Sequence, residues 1–167
     1  MKEKICCFTG HRPQNLSFGF NEEDKKCSKL KKLLKKEIKT LIKKEGVTCF
    51  ITGMALGVDT YVAEIILELK SKYDIKLECA IPCRTQSVKW SRKFQDRYNS
   101  ILQNADEVNV LQETYTSGCM QRRNEYMVNK SDYIIAVWDE SPSGTGSTVR
   151  YAEERNKKII VINPDEL

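Results

Sequence analysis

Along the chain, short continuous apolar runs alternate with stretches in which apolar residues return every three or four positions. Lys4 to Phe8, Val47 to Ile51, Lys76 to Ile81, Glu107 to Leu111, Tyr133 to Trp138 and Lys158 to Ile162 have the length and composition of buried strands. Between the first two, Asn21 with Glu22, Glu23 and Asp24 predicts a helix cap and an acidic first turn. Cys27, Leu30, Leu34, Ile38 and Leu41 then mark one buried stripe, and Gly46 ends the helix. Lysines fill its other face. They fit a solvated scaffold surface or, as the rarer alternative, a nucleic-acid contact.

A second helix carries Val58, Val62, Ile65, Ile66 and Leu69 on its apolar side, and a third puts Trp90, Phe94, Tyr98 and Ile101 on one face. Two readings fit Trp90, stacking on a base and packing in the core. A fourth helix is predicted from Ser117 through Asn129, and a fifth, charged one from Val149 to Lys157. Strands alternating with helices in this way predict an α/β fold: a Rossmann-like, doubly wound, mainly parallel sheet with helices on both faces. No linker, repeat or low-complexity segment divides the 167 residues, so residues 1–167 are expected to form a single domain.

In such sheets ligands sit beyond the carboxyl ends of the strands. Three of those ends carry glycine among small hydroxyl or charged residues: Thr9-Gly-His-Arg-Pro13, Thr52-Gly-Met-Ala-Leu-Gly-Val-Asp59 and Ser143-Gly-Thr-Gly-Ser-Thr148. The last precedes a helix N-terminus, where unpaired backbone N–H groups and the helix dipole favour an anion. It matches neither Gly-x4-Gly-Lys-Ser/Thr nor the dinucleotide fingerprint, whose third glycine is replaced by Val149. Gly144, Thr145, Gly146, Ser147 and Thr148 are thus expected to hold phosphate. Gly10 and Gly53 would let backbone approach the ligand beside Met54 and Ala55, and Arg12 and Arg123 would neutralise its charge. Arginine near a helix start opposes the dipole, so Arg122 and Arg123 point either to a ligand or to a surface salt bridge. His11 fits a ribose or phosphate contact or a structural role; Asp59 fits ribose hydroxyls or a helix cap.

Composition changes this picture little. Forty per cent hydrophobic and 31 per cent charged residues describe an ordinary soluble protein, and no apolar run reaches a membrane span, so no membrane partner and a cytoplasmic location are expected. Seven cysteines, an odd number with Cys6, Cys7, Cys49 and Cys79 inside strand-like runs, read as buried thiols. Cys79-x3-Cys83 with a single histidine is a poor metal site, so neither a metal nor a cofactor is expected. A net charge of +5 allows a polyanionic partner without requiring one. The sequence identifies no protein partner and is compatible with a homo-oligomer.

The three loops together resemble the SLOG superfamily of Rossmann-like proteins, a likeness that runs over essentially the whole chain, and the Thr-Gly-His-Arg-Pro opening is most similar to its YpsA-like branch. Residues 52–59 are similar to the Ser-Gly-x-Ala-x-Gly-Ile-Asp motif of the DNA-processing protein A family, single-strand DNA-binding recombination mediators. Residues 143–150, with Ala152 and Glu154, resemble that family's later loop and helix. Met120-Gln-Arg-Arg-Asn124 is similar to the Met-x-x-Arg-Lys of the lonely-guy phosphoribohydrolases at Met120 and Arg123, and Ser131-Asp132 with Ala136 falls in step. Their Pro-Gly-Gly-x-Gly-Thr-x-x-Glu is altered here, with Ser143, Ser147 and Arg150 replacing the first glycine, the threonine and the catalytic glutamate. The resemblance implies a nucleotide pocket for a ligand of the AMP, ADP-ribose or NAD class in a sensor or regulator. Two alternatives stay open: a nucleotide N-glycosidase in which Glu154 or Asp59 replaces the missing glutamate, and a single-stranded nucleic-acid-binding module. Catalytic residues are not identified.

Overall fold

The computed structural model describes residues 2–167. Six strands, β1 (Lys4–Gly10), β2 (Val47–Thr52), β3 (Lys76–Ile81), β4 (Glu107–Val110), β5 (Tyr133–Val137) and β6 (Lys158–Ile162), form one sheet in the order β4-β3-β2-β1-β5-β6. Every neighbouring pair is parallel. Parallel strands need crossovers, supplied here by α1 (Lys25–Thr40), α2 (Val58–Leu69), α3 (Arg92–Asn104), α4 (Cys119–Lys130) and α5 (Gly144–Glu154). This is the doubly wound α/β architecture expected from the sequence.

The side-chain alternation of each strand divides the interior in two. Phe8, Phe50, Leu77 and Ile135 face α1, α2 and α3 in the larger core, while Cys7, Ile51, Ala80 and Ile134 face Met127 and Val128 of α4 and Ala152 of α5. All seven cysteines are buried free thiols. Burial pushes the Cys7, Cys49 and Cys79 thiols up to about 12, which keeps them uncharged.

Several boundaries differ from the sequence reading for local reasons. Asp24, not Asn21, caps α1, its carboxylate accepting from the Lys26 N–H at 2.8 Å, while Asn21 accepts the Glu23 N–H on its side chain and the Asp24 N–H on its carbonyl in the turn before the helix. After Thr40 the helix widens into a π turn, Leu41–Glu45, and stops where Gly46 turns left-handed at φ 74°. Trp90 precedes α3, which is capped by Ser91. The largest difference is in α5, which starts five residues before Val149. Ser143 is its N-cap, and its Oγ accepts from Gly146 N–H at 3.1 Å. Residues that read as a loop are therefore the first turn of a helix.

Chain order runs from β1 outward to β4, then returns through α4 to β5 on the other side of β1. The connections after β1 and β5 leave toward opposite faces, so a crevice opens beyond their carboxyl ends.

Candidate nucleotide-binding site

A cavity of about 260 Å³ occupies this crevice. One wall is the end of β1 with Gly10, His11 and Arg12; another is the start of α5 with Ser143, Gly144 and Thr145; Ala55, Asp59, Arg123 and Asn124 close the rest. The Ser143 side chain and carbonyl take the N–H groups of Gly146 and Ser147. The Gly144 and Thr145 N–H groups stay outside the helical ladder, as the first turn of any helix requires, and they stand at the cavity.

Arg123 is the dominant charge. Only 3% exposed, it donates from Nη1 to the Gly53 carbonyl at 2.6 Å and from Nε to Asn124 Oδ1 at 2.9 Å, while Nη2 meets only the Met120 sulfur at 3.8 Å. No carboxylate lies within 4.0 Å of it among the described residues. Burial draws its pKa down, and the more distant Asp59 carboxylate partly opposes this. A guanidinium shielded from water without an anion in contact carries an uncompensated desolvation cost.

Asp59 is 8% exposed and accepts the Ala55 N–H on Oδ2 at 3.1 Å, while the Thr52 hydroxyl donates to the Asp59 carbonyl at 2.9 Å. Burial pushes its carboxyl up, with Arg123 and the Ala55 amide pulling the other way. Gly57, not Asp59, is the cap of α2, so the carboxylate folds the preceding loop and is not a helix cap.

His11 is 4% exposed, and its Nε2 lies 2.9 Å from Asp139 Oδ1 and 3.2 Å from the Asp139 amide nitrogen. One nitrogen cannot donate and accept at once. Ser141 hydrogen bonding, with a smaller contribution from His11, holds the Asp139 carboxyl at about 2, so it is ionised and the shorter contact is Nε2–H donating to Oδ1. His11 thereby ties the end of β1 to the end of β5.

A chain whose three glycine-bearing strand ends meet at one crevice can be placed by sequence. The profile of the YspA SLOG family, YpsA, matches residues 6–167. The chain belongs to that family. Its relatives include a UPF0398 protein of Brevibacillus brevis, 33% identical over 82% of this chain and 73% of the relative. Another is the uncharacterized SPbeta prophage-derived protein YoqJ of Bacillus subtilis, 37% identical over 75% of this chain and 81% of the relative. Among solved structures, DNA processing protein A from Helicobacter pylori, described for its single-stranded DNA binding mode, superposes with a TM-score of 0.66 at 20% identity. The match covers 96% of this chain and 65% of that one. The same protein from Streptococcus pneumoniae gives 0.63 at 17% identity, over 96% and 50%. This SLOG chain thus spans about two thirds and one half of those two structures, and at such identities the likeness shows the fold alone.

Of the residues singled out from sequence, Gly10, His11, Arg12, Ala55, Asp59, Arg123, Gly144 and Thr145 come together at the cavity. Gly53, Met54, Gly146, Ser147 and Thr148 do not line it, and neither does Trp90. The glycines explain themselves otherwise. A Cβ on Gly53 would stand 2.5 Å from Arg123 Nη1, and one on Gly10 would stand 2.8 Å from Val58, so protein groups, not ligand, make the close approach. On Gly146 it would meet the Ser141 carbonyl at 3.0 Å and the Trp138 ring at 3.1 Å. Met54 is fully buried at φ 60°, and the Thr148 hydroxyl donates back to the Gly144 carbonyl at 3.0 Å. Trp90 meets Tyr98 edge to face at 5.2 Å and, on its other side, borders an adjoining cavity of about 210 Å³ that shares Arg12 and Ala55 with the first. Arg122 bonds Gln112 at the surface.

Arg150, Glu153 and Glu154 are exposed and away from the cavity, since Thr145, Thr148, Val149 and Ala152 form the buried face of α5 and leave those positions toward solvent. Phe8, Thr9, Asn15, Asn124 and Ser143 line the cavity without having been predicted. Ser143 and Asn124 flank predicted residues and could have been found; Asn15 lies in a short 3-10 turn with no periodic signal.

Proposed function

We propose that this chain binds a nucleotide of the AMP or ADP-ribose class and acts as a sensor or regulator. Arg123 carries the reading: a nearly inaccessible guanidinium with no carboxylate in contact, facing a cavity, calls for an external anion. The phosphate would sit between Arg123, Arg12 and the free N–H groups of Gly144 and Thr145. Asp59, an acceptor in the same cavity, would take ribose hydroxyls. A cavity of about 260 Å³ lies at the small end of ligand sites, enough for a phosphorylated sugar. The base would then occupy the adjoining space beside Trp90, Gln86 and Met120. The family and its structural neighbours support a nucleotide- or nucleic-acid-binding role, and a concave site of about 260 Å³ with one deeply buried cation favours a single nucleotide over a continuous strand.

A second reading, nucleotide N-glycosidase, has one supporting observation: Asp59 is a buried carboxylate at the cavity with a raised pKa. Glu154 has no such claim, being exposed and beside Arg155. Both readings are tested together. Calorimetry with AMP, ADP-ribose and ribose 5-phosphate is expected to give saturable binding that Arg123→Met abolishes, and chromatography is expected to show no free base. A flat response across all three compounds would remove the nucleotide reading. Steady release of adenine that stops in Asp59→Asn would replace the sensor by the enzyme.

A further inference from the structure

The strongest charge asymmetry of the molecule lies on another surface. Residues 25–45 hold ten lysines against two glutamates, a net +8, whereas the whole chain carries +5, so everything else sums to −3. On α1, Lys25, Lys29, Lys32, Lys36 and Lys39 follow steps of four and three, which sets them in one stripe. Cys27, Leu30, Leu34 and Ile38 occupy the opposite, buried side. Lys43 and Lys44 of the π turn join Lys32, Lys35, Lys36 and Lys39 around one shallow depression.

Such a surface is costly to the isolated helix. Like charges three and four apart repel, and solvated helix faces ordinarily alternate glutamate with lysine. Here only Lys31 and Lys35 of α1 find carboxylates, Glu22 and Glu68, both at 2.8 Å; the five stripe lysines have none within 4.0 Å among the described residues. From Lys25 to Lys39 the stripe runs ~21 Å at 1.5 Å per residue. A nucleic-acid duplex presents about six phosphates per strand over that distance.

We propose that the α1 lysine stripe binds the phosphate backbone of double-stranded nucleic acid without regard to sequence. α1 itself carries no aromatic residue, and Tyr73 beside the depression has Lys43 over its ring at 6.0 Å, so the stripe offers no row of stacking platforms for the bases of a single strand. The apolar side of α1 is committed to the core, which leaves nothing to insert between lipids. None of these lysines lines the nucleotide cavity, so the inference stands apart from that reading.

The test is fluorescence anisotropy with a labelled 20-base-pair DNA of mixed sequence, a single strand of the same length and anionic phosphatidylserine vesicles as competitors. Duplex binding at 50 mM KCl is expected to weaken on the order of a hundredfold at 200 mM, as four phosphate contacts require. Substituting Lys29, Lys32, Lys36 and Lys39 together by Gln is expected to lower affinity at least thirtyfold while the melting temperature does not fall, since the change removes like-charge repulsion along α1. The same loss of charge at exposed Lys2, Lys76, Lys89 and Lys93 should change affinity less than threefold. No binding at 50 mM KCl overturns the proposal. So does equal loss in both quadruple variants, retained binding in the stripe variant, or stronger competition by the single strand or the vesicles.

Discussion

Replacing Arg123 by Met separates ligand binding from folding, because the two depend on different parts of the same side chain. Without ligand, the variant loses the 2.6 Å bond to the Gly53 carbonyl, whose remaining protein donor is Gln86 Nε2 at 3.4 Å. Leaving that carbonyl poorly served costs about 1 kcal/mol or somewhat more. Against this, the methionine removes a desolvated cation, and apolar replacement of buried charge is often neutral or favourable. The net change should stay within about 2 kcal/mol, which for a chain of this size is a melting shift of roughly 6 °C or less.

Binding should respond far more. A buried charge-assisted contact to phosphate is worth about 2–4 kcal/mol on truncation, or on the order of 30- to 1,000-fold in Kd. The variant also leaves Asp59 without its nearest cation. Burial already raises that carboxyl and Arg123 opposes the rise, so removing Arg123 raises it further. A carboxyl raised above its unfolded value destabilises the fold once ionised. The variant should therefore lose stability relative to the parent as pH climbs from about 4 toward neutrality, and regain it in acid. Calorimetric titration with AMP, together with circular dichroism melts between pH 4 and 8, reads both effects. A folded variant that binds AMP within threefold of the parent would refute the argument and leave Arg123 as a clamp on the loop after β2.

Gly144→Val should abolish AMP binding in calorimetry with a melting shift below about 3 °C, since a Cβ there meets no protein atom within 4 Å and Gly144 lines the cavity in which the phosphate is proposed to sit. Gly146→Ala should do the reverse, costing about 1–3 kcal/mol in urea unfolding through its contacts with Trp138 and the Ser141 carbonyl, while residual folded protein still binds. Hydrogen bonding from Arg97, then from Lys31, lowers Glu22 from 4.5 to about 2. That stability is present above the unfolded pKa and lost as pH falls through this interval. With the carboxylate 26% exposed, solvent screening leaves about 1–2 kcal/mol, and acid titration of Arg97→Met should lack the larger part of it while Lys31 keeps the rest.

What the sequence determined is what short-range physics controls. Apolar runs such as Ile134-Ile-Ala-Val137, buried on both faces, can hardly be anything but interior parallel strands, and the stripe from Cys27 to Leu41 allows only a helix lying on them. The segments that follow β1, β2 and β5 each contribute residues to one cavity, because parallel strands bring all their carboxyl ends to one edge. The roles of individual glycines were decided only by tertiary packing. Gly10, Gly53 and Gly146 make room for Val58, Arg123 and Trp138, residues distant or several positions away whose approach no local pattern encodes. The start of α5 was equally hidden: small hydroxyl and glycine residues have low helix propensity, and the Ser143 cap with burial of Thr145, Thr148 and Val149 overrides it. That early start leaves Arg150 and Glu154 in the second and third turns of the helix, on its solvent side and away from the cavity. Arg123 was visible as an arginine against a helix dipole, but its burial, with no carboxylate in contact among the described residues, arises only when α4 folds over the loop after β2, and that loss of water is what sets its charge apart from those of the surface arginines.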